Sequence, residues 1–171
     1  MENKVYFSDQ FFSAGMTDIY NESQEKIGTL DHMSMFTSGI RIEGVHRTTG
    51  IEAGFGFFSN KWTIKRGEEE LGYVKNAFSF FTKKYRYFKD GLEYEIESPA
   101  FSKEYTVLNE SREEVVFFRK VSGFFQTAAY ELVNHSELFE ADELIAVIMG
   151  VNAIEKRNRS AGSGGGAAGG S

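Results

Sequence analysis

Cysteine is absent from this chain of 171 residues. Its absence excludes disulfides, thiolate metal sites and a cysteine nucleophile, and it suits a reducing cytosol. Proline occurs once, at Pro99, so turns fall to the 18 glycines and to polar residues. Basic charge is in deficit: 19 Lys and Arg face 25 Asp and Glu, a net charge of −6. General nucleic-acid binding, which draws on a basic domain, is therefore not expected. Long apolar runs are scarce too. The opening "MENKVYFSDQFF" holds none long enough for a signal-peptide core, and a cytoplasmic protein is expected.

Motifs with chemical spacing are equally scarce. The only histidines are His32, His46 and His135. None is spaced from another as helical zinc ligands are, so they read as surface or loop residues, with no metal site and no Ser-His-Asp triad. Glu68, Glu69 and Glu70, and the pair Glu113 and Glu114, sit in polar turns where solvated charge is expected. The "GFGFF" from Gly54 to Phe58 is no dinucleotide fingerprint. A non-enzymatic chain without a cofactor is the expectation.

Aromatic residues are abundant: 17 Phe, 8 Tyr and 1 Trp. This composition favours strands. The stretches "DIYNESQEKIGTLDHMSMFTS", "TIKRGEEELGYVKNAFSFFTK" and "TVLNESREEVVFFRKVSGFFQ" repeat at an offset of 44, which aligns Gly28 with Gly72 and Val116, and Phe36 with Phe80 and Phe124. The word "NES" recurs at Asn21 and Asn109. Each unit reads as two strands around a polar turn, followed by a loop rich in Phe and Ser. Asp90-Gly91 is a strong hairpin signal. With "GIRIE", "KYRYFK", "LEYEIE", "TAAYELV", Val5 to Phe7 and the region from Ile51 to Phe58, the count reaches about twelve strands, enough to close a barrel.

The one sustained apolar stretch lies in "DELIAVIMGVNAIEKRNR". From Leu144 to Ile154 it is well short of the ~20 residues a membrane-spanning helix needs. It is apolar on every side, unlike an interfacial helix, so it reads as a buried helix near 140–157 with both charged ends wet. The barrel interior is its natural place. Asp142 and Glu143 at its start and Lys156, Arg157 and Arg159 at its end suit the helix dipole. The expected core includes Ile19, Leu30, Trp62, Ile64, Leu71, Tyr73, Leu144, Ile148 and Val151. One domain is expected over 1–159. The final "SAGSGGGAAGGS", 160–171, has nothing to bury and reads as a disordered tail, natural or appended.

The segments "EELGYVKNAFSFFTKKYRY" and "DELIAVIMGVNAI", within a pattern covering roughly 15–157, resemble the LURP-one-related family. That family belongs with the Tubby C-terminal domain and the phospholipid scramblases. The resemblance implies a closed all-β barrel of twelve strands threaded by a hydrophobic helix. No proline-rich N-terminal region and no cysteine cluster is present, so it implies a Tubby-like or LURP-like binding role rather than scramblase activity.

The charge distribution points the same way. Between Lys61 and Lys89 eight basic residues face three glutamates, in a chain that is otherwise acidic. Alternation in "KKYRYFK" turns Tyr85 and Tyr87 to one face and Lys84 and Arg86 to the other. Lys65, Lys83, Lys84 and Arg86 are the candidate cations for an anionic phospholipid headgroup. The alternatives are a solvated strand face and a structural or regulatory protein that binds a protein partner without lipid.

Overall fold

The computed structural model describes residues 3–13, 15–33, 39–45, 48–77, 79, 82–99 and 102–162. Among them are twelve strands: β1 (Lys4–Ser8), β2 (Gly15–Tyr20), β3 (Lys26–His32), β4 (Gly39–Glu43), β5 (Ile51–Phe55), β6 (Trp62–Arg66), β7 (Glu69–Ala77), β8 (Lys83–Lys89), β9 (Leu92–Ser98), β10 (Tyr105–Leu108), β11 (Glu114–Val121) and β12 (Ala129–Asn134). Every pairing is antiparallel between chain neighbours, and β1 closes the barrel on β12. One helix follows, α1 (Ala141–Gly162).

The period of 44 residues corresponds to four strands. The three matched hairpins are β2–β3, β6–β7 and β10–β11, and each carries a register irregularity near its turn. The two "NES" turns are built alike. Asn21 and Asn109 each accept a hydrogen bond on Oδ1 from the backbone N–H of Glu25 or Glu113 and donate one from Nδ2 to the same residue's carboxylate. Gly28, Gly72 and Val116 all turn inward and are buried. The Asp90-Gly91 hairpin has positive φ at both residues (50° and 79°), as its turn type requires.

Helix α1 fills the interior. Every residue from Ala141 to Val151 is buried, and the inner faces of the strands meet it with Ile19, Leu30, Trp62, Ile64, Tyr87, Tyr105 and Phe118. The Trp62 indole N–H donates to the Ala146 carbonyl at 3.0 Å. The space at Gly150 belongs to that indole: a Cβ there would lie 2.8 Å from Cγ and 2.9 Å from Nε1 of Trp62. The close approach at Gly150 is thus to a side chain rather than to strand backbone.

Three expectations need correction. Tyr73 is not a core residue, and Leu71 only packs, partly buried, against the margin of the core: Gly72 and Val74 face the interior, and the register shift opposite Lys65 leaves Leu71 out of the strand register. Bulk misled the reading, because the largest side chain of "LGYV", Tyr73, lies on the outer face, stacked on Phe88. Gly72 is small because Tyr87 passes over it, within 2.7 Å of where a Cβ would be. The helix also begins dry: Asp142 and Glu143 are 3% and 2% exposed. It ends at Gly162, so Ser160, Ala161 and Gly162 are exposed helix rather than tail. No residue before the glycine run obstructs helix, and Ser160 Oγ donates back to the Lys156 carbonyl. The rest of the glycine-rich segment lies outside the described residues.

Candidate functional site

Up-and-down connectivity gives the barrel two mouths of different character. At the entry mouth, where α1 begins, the connections are the short polar turns of β2–β3, β6–β7, β8–β9 and β10–β11. Here buried carboxylates meet cations from the strand ends. Arg66, last in β6, lies 2.7 Å from both Asp142 and Glu140. Burial alone would lower its guanidinium, but the hydrogen bond and charge of Asp142, then Glu140, outweigh that and raise it. Lys89, last in β8, reaches Glu143 at 2.9 Å, and the Tyr87 hydroxyl donates to the same carboxylate at 2.5 Å. Burial nevertheless raises Glu143 above the ordinary carboxylate range. This mouth is closed by charge paired between helix and strands, although Arg66 Nε is buried without a hydrogen-bond partner.

The exit mouth, where α1 leaves, is open. A pocket of about 480 Å³ is lined by Lys83, Tyr85, Ser102, Lys103, Glu155, Asn158 and Arg159. Strand β8 supplies Lys83 and Tyr85 from its first turn inward, the β9–β10 connection supplies Ser102 and Lys103, and the end of α1 supplies the rest. Glu155 is 5% exposed and central. Lys83 Nζ lies 3.4 Å from Oε1 and Lys103 Nζ 3.2 Å from Oε2, while the Tyr105 hydroxyl donates to Oε1 at 3.4 Å. Lys103 also donates to Asn152 Oδ1 at 2.8 Å.

Two cations thus contact one carboxylate, and a third, Arg159, lines the same pocket. The imbalance is felt at Lys103. Its ammonium is held below the ordinary lysine value, first by burial and then, against the pull of Glu155, by the charges of Arg159 and Lys83. Burial and Glu155 together push the Tyr85 and Tyr105 hydroxyls up, so both stay neutral donors.

The four cations singled out in the sequence do not share one surface. Lys83 lines the exit pocket. Lys84 and Arg86 lie on the outer wall, as strand alternation predicts, and both are met by acids of β9. Lys84 Nζ is 2.9 Å from Glu95 and 2.8 Å from Glu97, and Arg86 Nε is 3.0 Å from Glu93. Arg112 binds the same two glutamates at 2.9 and 3.2 Å. The Lys84 hydrogen bond, aided by Arg112, holds the Glu95 carboxyl at about 2. Lys65 is exposed on β6, in strand register with Glu52 on β5 and Glu70 on β7, and β7 separates it from β8.

Lys103, Glu155 and Arg159 went unremarked as site residues in the sequence. The available signal was the acid Glu155 one turn after the buried helix centre, a position that only a cationic wall can tolerate. His32 ends β3, half-buried, with its Nε2 2.9 Å from the Phe11 carbonyl, and His135 is exposed. His46 lies outside the described residues. Among the described residues no group of three or more His, Asp or Glu is placed to hold a metal ion, and no helix is long and apolar enough to cross a membrane. No family model, no curated protein and no solved structure matches the chain.

Proposed function

We propose that this chain is a non-enzymatic binding module, of the Tubby-like and LURP-one-related type its sequence resembles, that takes a phosphate-bearing anion, a phospholipid headgroup, in the exit pocket. The observation that carries the reading is the cluster of Lys83, Lys103 and Arg159 around the single carboxylate of Glu155. An entering phosphate would offset the mutual repulsion of Lys83, Lys103 and Arg159, which adds to the burial that chiefly lowers Lys103, gain charge-assisted hydrogen bonds from these cations, and find neutral donors in Ser102 and Tyr85. The outer-wall cations are less suited, because Glu93, Glu95 and Glu97 already occupy them. On this reading the protein works peripherally at the cytoplasmic face of a membrane.

The test titrates the protein with inorganic phosphate and with a soluble inositol phosphate, and co-sediments it with phosphatidylcholine vesicles with and without phosphoinositide. Binding in the soluble arms identifies the phosphate itself as the ligand; binding in the vesicle arm alone requires the lipid surface. Lys83→Ala/Lys103→Ala should weaken binding by about 2 kcal/mol, roughly thirtyfold, at ~1 kcal/mol per cation. Lys84→Ala/Arg86→Ala should leave it unchanged. Raising pH should weaken binding before an ordinary lysine would titrate, because the Lys103 ammonium is already lowered; Lys103→Arg should abolish that loss. No binding in any arm would sink the reading and leave a structural or protein-interaction role.

A further inference from the structure

The exit mouth also carries an apolar tip. Phe57 and Phe58, in the β5–β6 connection, are 94% and 99% exposed, the most exposed large apolar side chains among the described residues. Their rings meet edge to face at 4.7 Å, so they form one projection rather than two scattered exposures. Phe58 holds a left-handed backbone (φ 59°), a conformation costly for a bulky residue. A glycine or asparagine would serve this turn at lower cost, yet a phenylalanine stands there. Strain of this kind points to a function for the side chain.

The tip is braced from the helix. Arg157 donates to the Ser59 carbonyl at 3.0 Å and covers the Phe55 ring at 4.2 Å. The turn is closed by Ser59 N–H to the Gly56 carbonyl and by Lys61 N–H to Ser59 Oγ. Two exposed cations flank it, Arg157 from the helix and Lys61 from the turn itself, while Arg159, two residues on, lines the pocket. An aromatic pair rimmed by cations complements one surface above others: an anionic bilayer, where rings enter the interfacial region and the cations meet lipid phosphates.

We propose that Phe57 and Phe58 are a membrane-docking wedge that inserts into an anionic lipid surface and sets the exit pocket against the headgroups. This proposal rests on the headgroup reading for its orientation but is carried by different residues, so each can fail alone.

The experiment places a reporter at the tip. In Phe57→Trp the new indole starts in water, whereas Trp62 is buried and its emission stays fixed. Phosphatidylcholine vesicles containing phosphatidylserine should shift the new emission to the blue and shield it from acrylamide. Phe57→Ser/Phe58→Ser should lower vesicle partitioning at least about tenfold while leaving titration by soluble inositol phosphate unchanged. Phe58→Gly should weaken docking yet preserve or raise thermal stability, a pattern that a merely structural residue would not give. Lys83→Ala/Lys103→Ala should retain the blue shift on phosphatidylserine and lose the preference for phosphoinositide. Vesicle binding without a blue shift, or with the serine variant unimpaired, would overturn the wedge and leave the pocket standing. A blue shift that follows protein concentration without lipid would overturn it in favour of self-association through the tip.

Discussion

Gly150 and Trp62 show how tightly single residues are matched in this interior. Alanine at 150 would improve helix propensity by about 1 kcal/mol, but its methyl group would strike the indole ring. Overpacking of this kind costs about 1–3 kcal/mol, so after the propensity gain Gly150→Ala should lower stability by up to about 2 kcal/mol. Denaturant melts should show that penalty shrinking in a Trp62→Leu background, where the obstruction is gone. His32 provides a second residue-scale test. Burial lowers its pKa below 6.5, and the neutral ring can donate to the Phe11 carbonyl. A depressed histidine contributes stability that is present above pH 6.5 and is lost as pH falls through the folded value. Melting temperature should therefore drop as pH falls below about 6.5 in the parent and drop less in His32→Gln.

At the scale of elements, α1 is held by apolar contact along its middle and by ion pairs at its entry. Ile148 is 1% exposed in that middle. Ile148→Asp would put an unpaired carboxylate inside the barrel, at a cost of several kcal/mol, and should abolish cooperative melting or lower it severely. A parent-like melt would mean that the helix does not occupy the interior. Arg66 tests the entry seal. Arg66→Met leaves Asp142 and Glu140 facing each other without their shared cation, and breaking such a buried pair costs about 3–5 kcal/mol. Adding Asp142→Asn should recover part of that loss, which urea unfolding of the double variant would read.

For the whole molecule, the end of α1 marks where packing stops. Residues 160–162 are exposed, so among the described residues deletion of Ser160 to Ser171 removes only the exposed end of α1. Thermal stability should be unchanged; a large fall in melting temperature would show that the segment contributes to the fold. The two mouths divide the molecule's labour. The entry mouth spends its charge internally, whereas the exit mouth keeps a surplus of cations, a pocket and an aromatic tip on one face.

Much of this architecture was legible from local pattern. Alternation placed the strands, Asp90-Gly91 placed a hairpin, and an all-round apolar run placed a helix in the interior, because side-chain period and turn chemistry are local properties. The 44-residue repeat anticipated three like hairpins, and the count of about twelve strands anticipated the barrel. What local pattern could not supply was pairing across the interior. Which side of "LGYV" faces inward depended on a bulge and on the Tyr87 ring, both set by neighbouring strands. Whether Asp142, Glu143 and Glu155 are wet depended on cations that lie more than fifty residues away in Arg66, Lys89, Lys83 and Lys103. The basic cluster likewise dissolved in three dimensions: Lys84 and Arg86 turn out to glutamates of β9, while Lys83 turns in to join Lys103 and Arg159. Strand alternation assigns a charge to a face, but only the closed barrel decides which opposite charge it meets there and which cations remain for a ligand.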